Sequence, residues 1–137
     1  MVGKEMAPNQ VNKDWLFWRG PTGGGVSAQS NLPDSLTANT LLWEHEIQGG
    51  GVPVVAGGKA YQFGYYGVGN ELQEALVCFD ASSGEVLWER LHSDFISDIV
   101  YNRYGVGAPC IDSATGNVYY QTSPGLLIGY DSAGNKL

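Results

Sequence analysis

Cys78-Phe79-Asp80-Ala81-Ser82-Ser83-Gly84-Glu85-Val86-Leu87-Trp88 is the stretch that decides the fold of this 137-residue chain. An apolar run from Ala75 ends in an acid, three small residues and a glycine follow, and a second apolar run closes on tryptophan. Small residues and glycine between two short apolar runs predict a tight connection between antiparallel strands. Asp80 supplies acceptors for the turn amides, and Gly84 supplies the freedom to take a positive φ. The first run is apolar on both faces, with Leu76 and Cys78 on one and Ala75, Val77 and Phe79 on the other. Such a strand belongs in a sheet covered by further layers on both sides.

Outward from this stretch, short apolar runs alternate with Gly, Asn, Asp and Ser. Leu41–Glu46, Pro53–Ala56, Lys59–Phe63, Ala75–Asp80, Glu85–Glu89, Pro109–Asp112, Asn117–Thr122 and Leu126–Asp131 all read as strands. Strand, turn, strand at this spacing is an all-β signature. The best helical candidate, Asp94–Tyr101, is short and β-branched and reads as a loop with one helical turn. Residues 1–14 are polar and unpatterned, a flexible end. Residues 15–40 are rich in Trp, Gly and Pro and predict ordered coil.

The pattern repeats. Pro53-Val-Val-Ala-Gly-Gly-Lys-Ala-Tyr61 matches Pro109-Cys-Ile-Asp-Ser-Ala-Thr-Gly-Asn-Val-Tyr119, with a turn two residues longer in the second copy. Each is followed by an apolar run ending in aromatic-Asp, Phe79-Asp80 and Tyr130-Asp131, and then by a turn closing on Gly84 or Gly134. Trp43 and Trp88 stand 45 residues apart, and the second copy would place its own Trp just after Leu137. Four strands per period of this length predicts a β-propeller blade. On this reading residues 41–48 are a candidate closing strand, 49–91 a first blade and 92–137 an incomplete second blade. Gly64–Glu74 is then a long loop between the second and third strands of the first.

The segment Cys78–Trp88 resembles the repeat of the pyrroloquinoline-quinone-type β-propellers, commonly Ala-x-Asp-x-x-Thr-Gly-x-x-x-Trp. Asp80, Gly84 and Trp88 occupy the hallmark positions, with Cys78 where Ala is usual and Ser83 where Thr is usual. Asp131 and Gly134 are similar to a second copy with a shortened turn, and Trp43 matches the repeat tryptophan. Trp15-Leu-Phe-Trp18-Arg-Gly-Pro21 and Gly25-Val-Ser27 are similar to the start of many secreted bacterial members. The resemblance covers residues 15–137. It implies a piece of a seven- or eight-bladed propeller of roughly 350 to 400 residues, in which Asp80, Gly84 and Trp88 hold blades together. It also implies an extracytoplasmic home, periplasmic or secreted, although residues 1–10 contain no apolar signal-peptide core. Two blades leave open faces and edges, so the fragment is expected to associate through them.

Composition narrows the function. Seven Lys and Arg against fourteen Asp and Glu, formal net charge −7, make no basic patch and argue against nucleic-acid binding. No apolar run approaches the roughly 20 residues of a membrane span. Cys78 and Cys110 stand 32 residues apart, outside any Cys-x-x-Cys or Cys/His cluster, and read as small buried hydrophobes.

The candidate chemistry is sparse. His92, Asp94 and Asp98 share a segment but lack zinc or EF-hand spacing, so a solvated loop is the better reading. His45 lies between Glu44 and Glu46 and points away from both by strand alternation. Glu44 with Glu46, and Glu71 with Glu74, are carboxylate pairs that read as solvated acids, because no pocket residues accompany them. Ser, His and Asp occur without a Gly-x-Ser-x-Gly elbow. Gly49-Gly-Gly51 through Lys59 fails the phosphate-loop pattern at Pro53 and Ala60, and Gly67-Val-Gly69 and Gly105-Val-Gly107 lack the third glycine of a dinucleotide site.

The expectation is a non-catalytic scaffold or binding module, with Gly64–Glu74 and Leu91–Ala108 as binding loops and Tyr65, Tyr66, Tyr101 and Tyr104 as contacts to a protein partner. Under that reading no cofactor is evident. The alternative is a fragment of a quinoprotein dehydrogenase oxidising an alcohol or sugar. The resemblance would then imply quinone and calcium in the central channel, between a Trp and an adjacent-cysteine disulfide. Neither cysteine here has a cysteine neighbour, and no acid matches the calcium or base position.

Overall fold

The computed structural model describes residues 14–30, 32–93 and 103–137. The readings for residues 1–13, for Asp94–Asp98 and for Tyr101 lie outside them. The described residues fold as two antiparallel sheets with almost no helix. The first sheet is a meander of β1 (Val54–Ala56), β2 (Lys59–Tyr66), β3 (Gln73–Asp80) and β4 (Val86–His92), in that order. The second is β5 (Cys110–Ile111), β6 (Val118–Gln121) and β7 (Leu127–Tyr130). Short 3-10 turns occupy Ala38–Thr40 and Gly69–Glu71. No helix among the described residues is long and apolar enough to cross a membrane.

Register places the residues of the first sheet in rows. Tyr61, Cys78 and Trp88 share one row, Phe63, Leu76 and Arg90 the next, and Tyr65, Glu74 and His92 a third. Directly paired residues project to one face. This face packs on the second sheet, and Val54, Tyr61, Phe63, Leu76, Cys78 and Trp88 share a core with Ile111, Val118, Tyr120, Ile128 and Tyr130. The opposite face, with Ala60, Ala75, Val77 and Phe79, is covered by Trp43 and Ile47. Residues 74–79 are consequently buried without a break, the environment their two-faced apolar pattern demands.

Three expectations need correction. Leu41–Glu46 is not a strand, since only Gln48 forms a bridge, to Tyr65. Among the described residues its backbone has no neighbouring strand to ladder with, and the Trp43 indole tethers it to the Ala81 carbonyl. The expected long loop Gly64–Glu74 is short, because Tyr65 and Tyr66 pair with Glu74 and Gln73 and extend both strands. Asn135–Leu137 contributes only the bridge Lys136–Tyr130.

The N-terminal coil ties the inner edges of the sheets together. Trp15 exchanges backbone hydrogen bonds of 2.7 and 2.8 Å with Val55, and the Leu16 carbonyl accepts one from Ile111 N–H at 2.8 Å. Residues 14–16 thus sit between β1 and β5.

Candidate functional site

The turn after β3 is built by one carboxylate. Asp80 Oδ1 accepts from the backbone N–H groups of Ser82 and Ser83 and from both serine hydroxyls, and Gly84 N–H closes on the Asp80 carbonyl. Asp131 repeats the device, Oδ1 accepting from Ala133 and Asn135 N–H. Asp112 makes a third copy between β5 and β6, with Ala114 N–H and the Thr115 hydroxyl as donors. These bonds favour the ionised form. The Ser82 hydroxyl, followed by the Ser83 and Ser82 amides, holds Asp80 down at about 2. Thr115 lowers Asp112, and Asn135 lowers Asp131.

Each of two tryptophans docks on one of these turns. Trp43 Nε1 donates to the Ala81 carbonyl at 3.0 Å, and its ring lies 5.4 Å from Phe79. Trp88 Nε1 donates to the Ser132 carbonyl at 3.2 Å, and its ring lies 5.9 Å from Tyr130. The acceptor in each case follows the turn aspartate, and the ring partner precedes it. Gly84 at φ +75° and Gly134 at φ +85° lie under the indoles, where a Cβ would come within 2.5 Å of Trp43 and 2.9 Å of Trp88. Glycine is therefore needed twice over, for the backbone conformation and for the ring above it. Arg90 reinforces the second contact, donating to the Gly134 carbonyl and lying 5.4 Å over the Trp88 ring.

At the other end of the interface the third row is polar. Glu74 is 3 % exposed, and its carboxylate accepts from Gly105 N–H at 3.1 Å, Ser123 N–H at 2.9 Å and the Ser123 hydroxyl. Glu74 is therefore not a solvated loop acid but a buried β3 residue satisfied by two distant connections. His92 Nε2 pairs with the Tyr120 hydroxyl. Tyr104 packs edge-on against Tyr65 at 5.8 Å, and both are buried. Tyr66 is half-buried at the end of β2, and its hydroxyl meets His45 Nε2 at 3.0 Å. Burial first, then the nearby Glu89, pushes the Tyr66 phenol up to about 12. Of the four tyrosines proposed as contacts, the structure joins Tyr65 and Tyr104 in packing and places Tyr66 beside His45.

A cleft of about 700 Å³ opens at the turn end, lined by Phe17, Ala56, Lys59, Tyr61, Asp112 and Ser132 among others. Lys59 Nζ crosses it to the Ser132 carbonyl at 2.5 Å. Burial, followed by Cys78, raises the Tyr61 phenol far above its ordinary range. Cys78 is buried, and burial lifts its thiol to about 11. Cys110 is exposed on the outer face of the second sheet, which corrects the expectation of two buried thiols. Among the described residues no three His, Cys, Asp or Glu side chains converge as a metal site.

Two groups escaped the sequence reading. Asp112-Ser-Ala-Thr-Gly116 carries the same spacing as Asp80–Gly84, so its turn was legible in principle. Glu74 had no local signal, because its donors lie 31 and 49 residues away. No family model matches the chain, and no curated protein matches it.

Proposed function

We propose that this chain is a segment of a β-propeller built from pyrroloquinoline-quinone-type repeats, serving as a non-catalytic scaffold that binds a protein partner at the end of the sheets where their longer connections meet. The observation that carries the reading is the contact made twice, Trp43 on the Asp80 turn and Trp88 on the Asp131 turn, with equivalent acceptors and ring partners. Because the same side of one unit meets the opposite side of the next, the packing is head-to-tail, as successive blades require. The connection 103–109 packs against β2 near its end, with a Gly105 Cβ position falling 2.4 Å from Gly64 Cα. Rigidly held connections of this kind are the usual bearers of recognition. Val68 and Val106, 69 % and 58 % exposed, are the apolar tips offered to a partner.

The test of the architecture is a chain in which Trp88–Leu137 is repeated directly after Leu137. A further unit in register raises the urea midpoint, as stacking does in repeat proteins. An unchanged or lower midpoint contradicts the reading. For recognition, the pair Val68→Asp and Val106→Asp leaves the circular dichroism intact and abolishes partner binding, and retained binding refutes this assignment of the surface.

The dehydrogenase alternative requires an adjacent-cysteine disulfide beside a calcium site. Cys78 lies between the two sheets and Cys110 on the far side of the second, so the cysteines of this chain do not fit that group.

A further inference from the structure

The cleft at the turn end is walled by three pieces of chain that meet there. The β1–β2 hairpin gives Lys59 and Tyr61, the β5–β6 turn gives Asp112 and Ser113, and the N-terminal coil gives Asp14 and Phe17. Its volume of about 700 Å³ falls within the ~300–1,000 Å³ typical of small-ligand sites. The connections offered above to a protein partner lie at the other end of the sheets, since β2 begins at Lys59 and ends at Tyr66.

Two opposite charges on these walls lack a charged partner. Lys59 is half-buried, and its ammonium uses one of three donors on the Ser132 carbonyl. That acceptor is neutral, and among the described residues the other two donors meet no protein group. Asp14 is half-buried too, and its carboxylate takes part in no hydrogen bond or ion pair among the described residues. Both groups thus line one cleft without pairing to each other. Asp112 differs, because its carboxylate is committed to Ala114 and Thr115 in its own turn. Nor does the hairpin itself demand a lysine. The corresponding position of the second sheet, two residues before Tyr119, holds Asn117, whose amide reaches the Tyr119 hydroxyl at 3.4 Å.

The rest of the lining is largely apolar, with Leu16, Phe17, Pro21, Ala56 and Ile111. An anion alone would satisfy Lys59, leave Asp14 unmet and approach against a net charge of −7. A cation alone would leave Lys59 unmet. A molecule that carries both charges on an apolar body answers the whole lining. We propose that this cleft binds a zwitterionic peptide of two or three residues with an apolar side chain, its carboxylate on Lys59 and its terminal ammonium on Asp14. The side chain lies against Phe17 and Pro21. A peptide of this length suits the volume better than a free amino acid does.

Titration of the unmodified chain with alanyl-phenylalanyl-alanine, followed by amide proton and nitrogen shifts, tests this. At millimolar peptide the amides of Gly57, Ser113 and Gly116, which line the cleft, move. Acetylating the peptide's N-terminus or amidating its C-terminus weakens binding about tenfold each. Asp14→Asn removes the discrimination against the acetylated peptide, and Lys59→Met removes that against the amide. Lys59→Met also frees the Ser132 carbonyl, so Asp14→Asn, which breaks no contact among the described residues, decides the matter should the lysine variant unfold. No movement of these amides at millimolar peptide, or equal binding of free and blocked peptides, overturns the proposal. Unaltered discrimination in either folded variant overturns it too, as does free phenylalanine binding as tightly as the peptide.

Discussion

Trp88→Ala is the substitution whose cost follows most directly from the packing. The side chain is 9 % exposed. Its ring lies 5.7 Å from Tyr61 and 5.9 Å from Tyr130, with the Arg90 guanidinium 5.4 Å from its centroid. Its N–H reaches the Ser132 carbonyl at 3.2 Å. Removing a buried tryptophan side chain costs ~3–5 kcal/mol, the transfer and cavity contributions together. Trp88→Phe keeps most of the ring and loses the hydrogen bond, leaving Ser132 to find water, at about 1 kcal/mol. Trp43 makes the equivalent bond but is only half-buried, so Trp43→Ala costs about half as much as Trp88→Ala. Urea unfolding at one fixed chain concentration measures the series. At a slope of about 2 kcal/mol per molar urea, Trp88→Ala lowers the midpoint by ~2 M. A loss below about 1 kcal/mol for Trp88→Ala, or a larger loss for Trp43→Ala, would refute the view that this indole joins the two sheets.

Three further outcomes follow from the turns and from the buried acid. Gly84→Ala and Gly58→Ala impose the same positive φ, +75° and +76°, but only Gly84 has Trp43 above it, while Gly58 has nothing within 4 Å. Gly58→Ala therefore costs ~1–2 kcal/mol and Gly84→Ala clearly more, with a change in Trp43 emission; equal costs would show that the indole does not rest on the turn. The Asp80 carboxyl, held at about 2, binds protons less readily folded than unfolded. Its contribution is present above the unfolded value near 3.9 and is lost as pH falls toward about 2. Asp80→Asn flattens stability against pH across that window, and an unaltered slope contradicts the assignment. Glu74→Gln turns part of an all-acceptor group into a donor facing Gly105 and Ser123, costing ~1–3 kcal/mol. It also speeds hydrogen exchange at those two amides, and unchanged protection there would mean that Glu74 does not hold the connections.

What was legible in the sequence was local. The Asp80–Gly84 turn, the strands around it and the two-faced burial of β3 follow from spacing that a single segment carries. The equivalence of Trp43 and Trp88 was legible too, because both sit in Leu-Trp-Glu and the period separates them. What distant segments decide was hidden. Leu41–Glu46 has a strand's composition but no strand beside it among the described residues. Tyr65 and Tyr104 read as loop aromatics because nothing in either stretch announces that the two will meet 5.8 Å apart. Glu74 read as solvated because an isolated acid near glycines normally is; its burial depends on amides supplied by Gly105 and Ser123. Cys110 has the apolar character of a core residue, yet it belongs to the face that no other part of the described chain covers.

The most direct measurement is the set of proton contacts made by the two indole N–H groups in solution, by nuclear Overhauser spectroscopy. The account predicts that the Trp43 indole proton lies beside Ala81 and Phe79, and the Trp88 indole proton beside Ser132 and Tyr130, each seen from the same side of its turn. Contacts of both tryptophans with one turn, or of neither with a turn, would contradict the claim that the two sheets are successive units of one repeat.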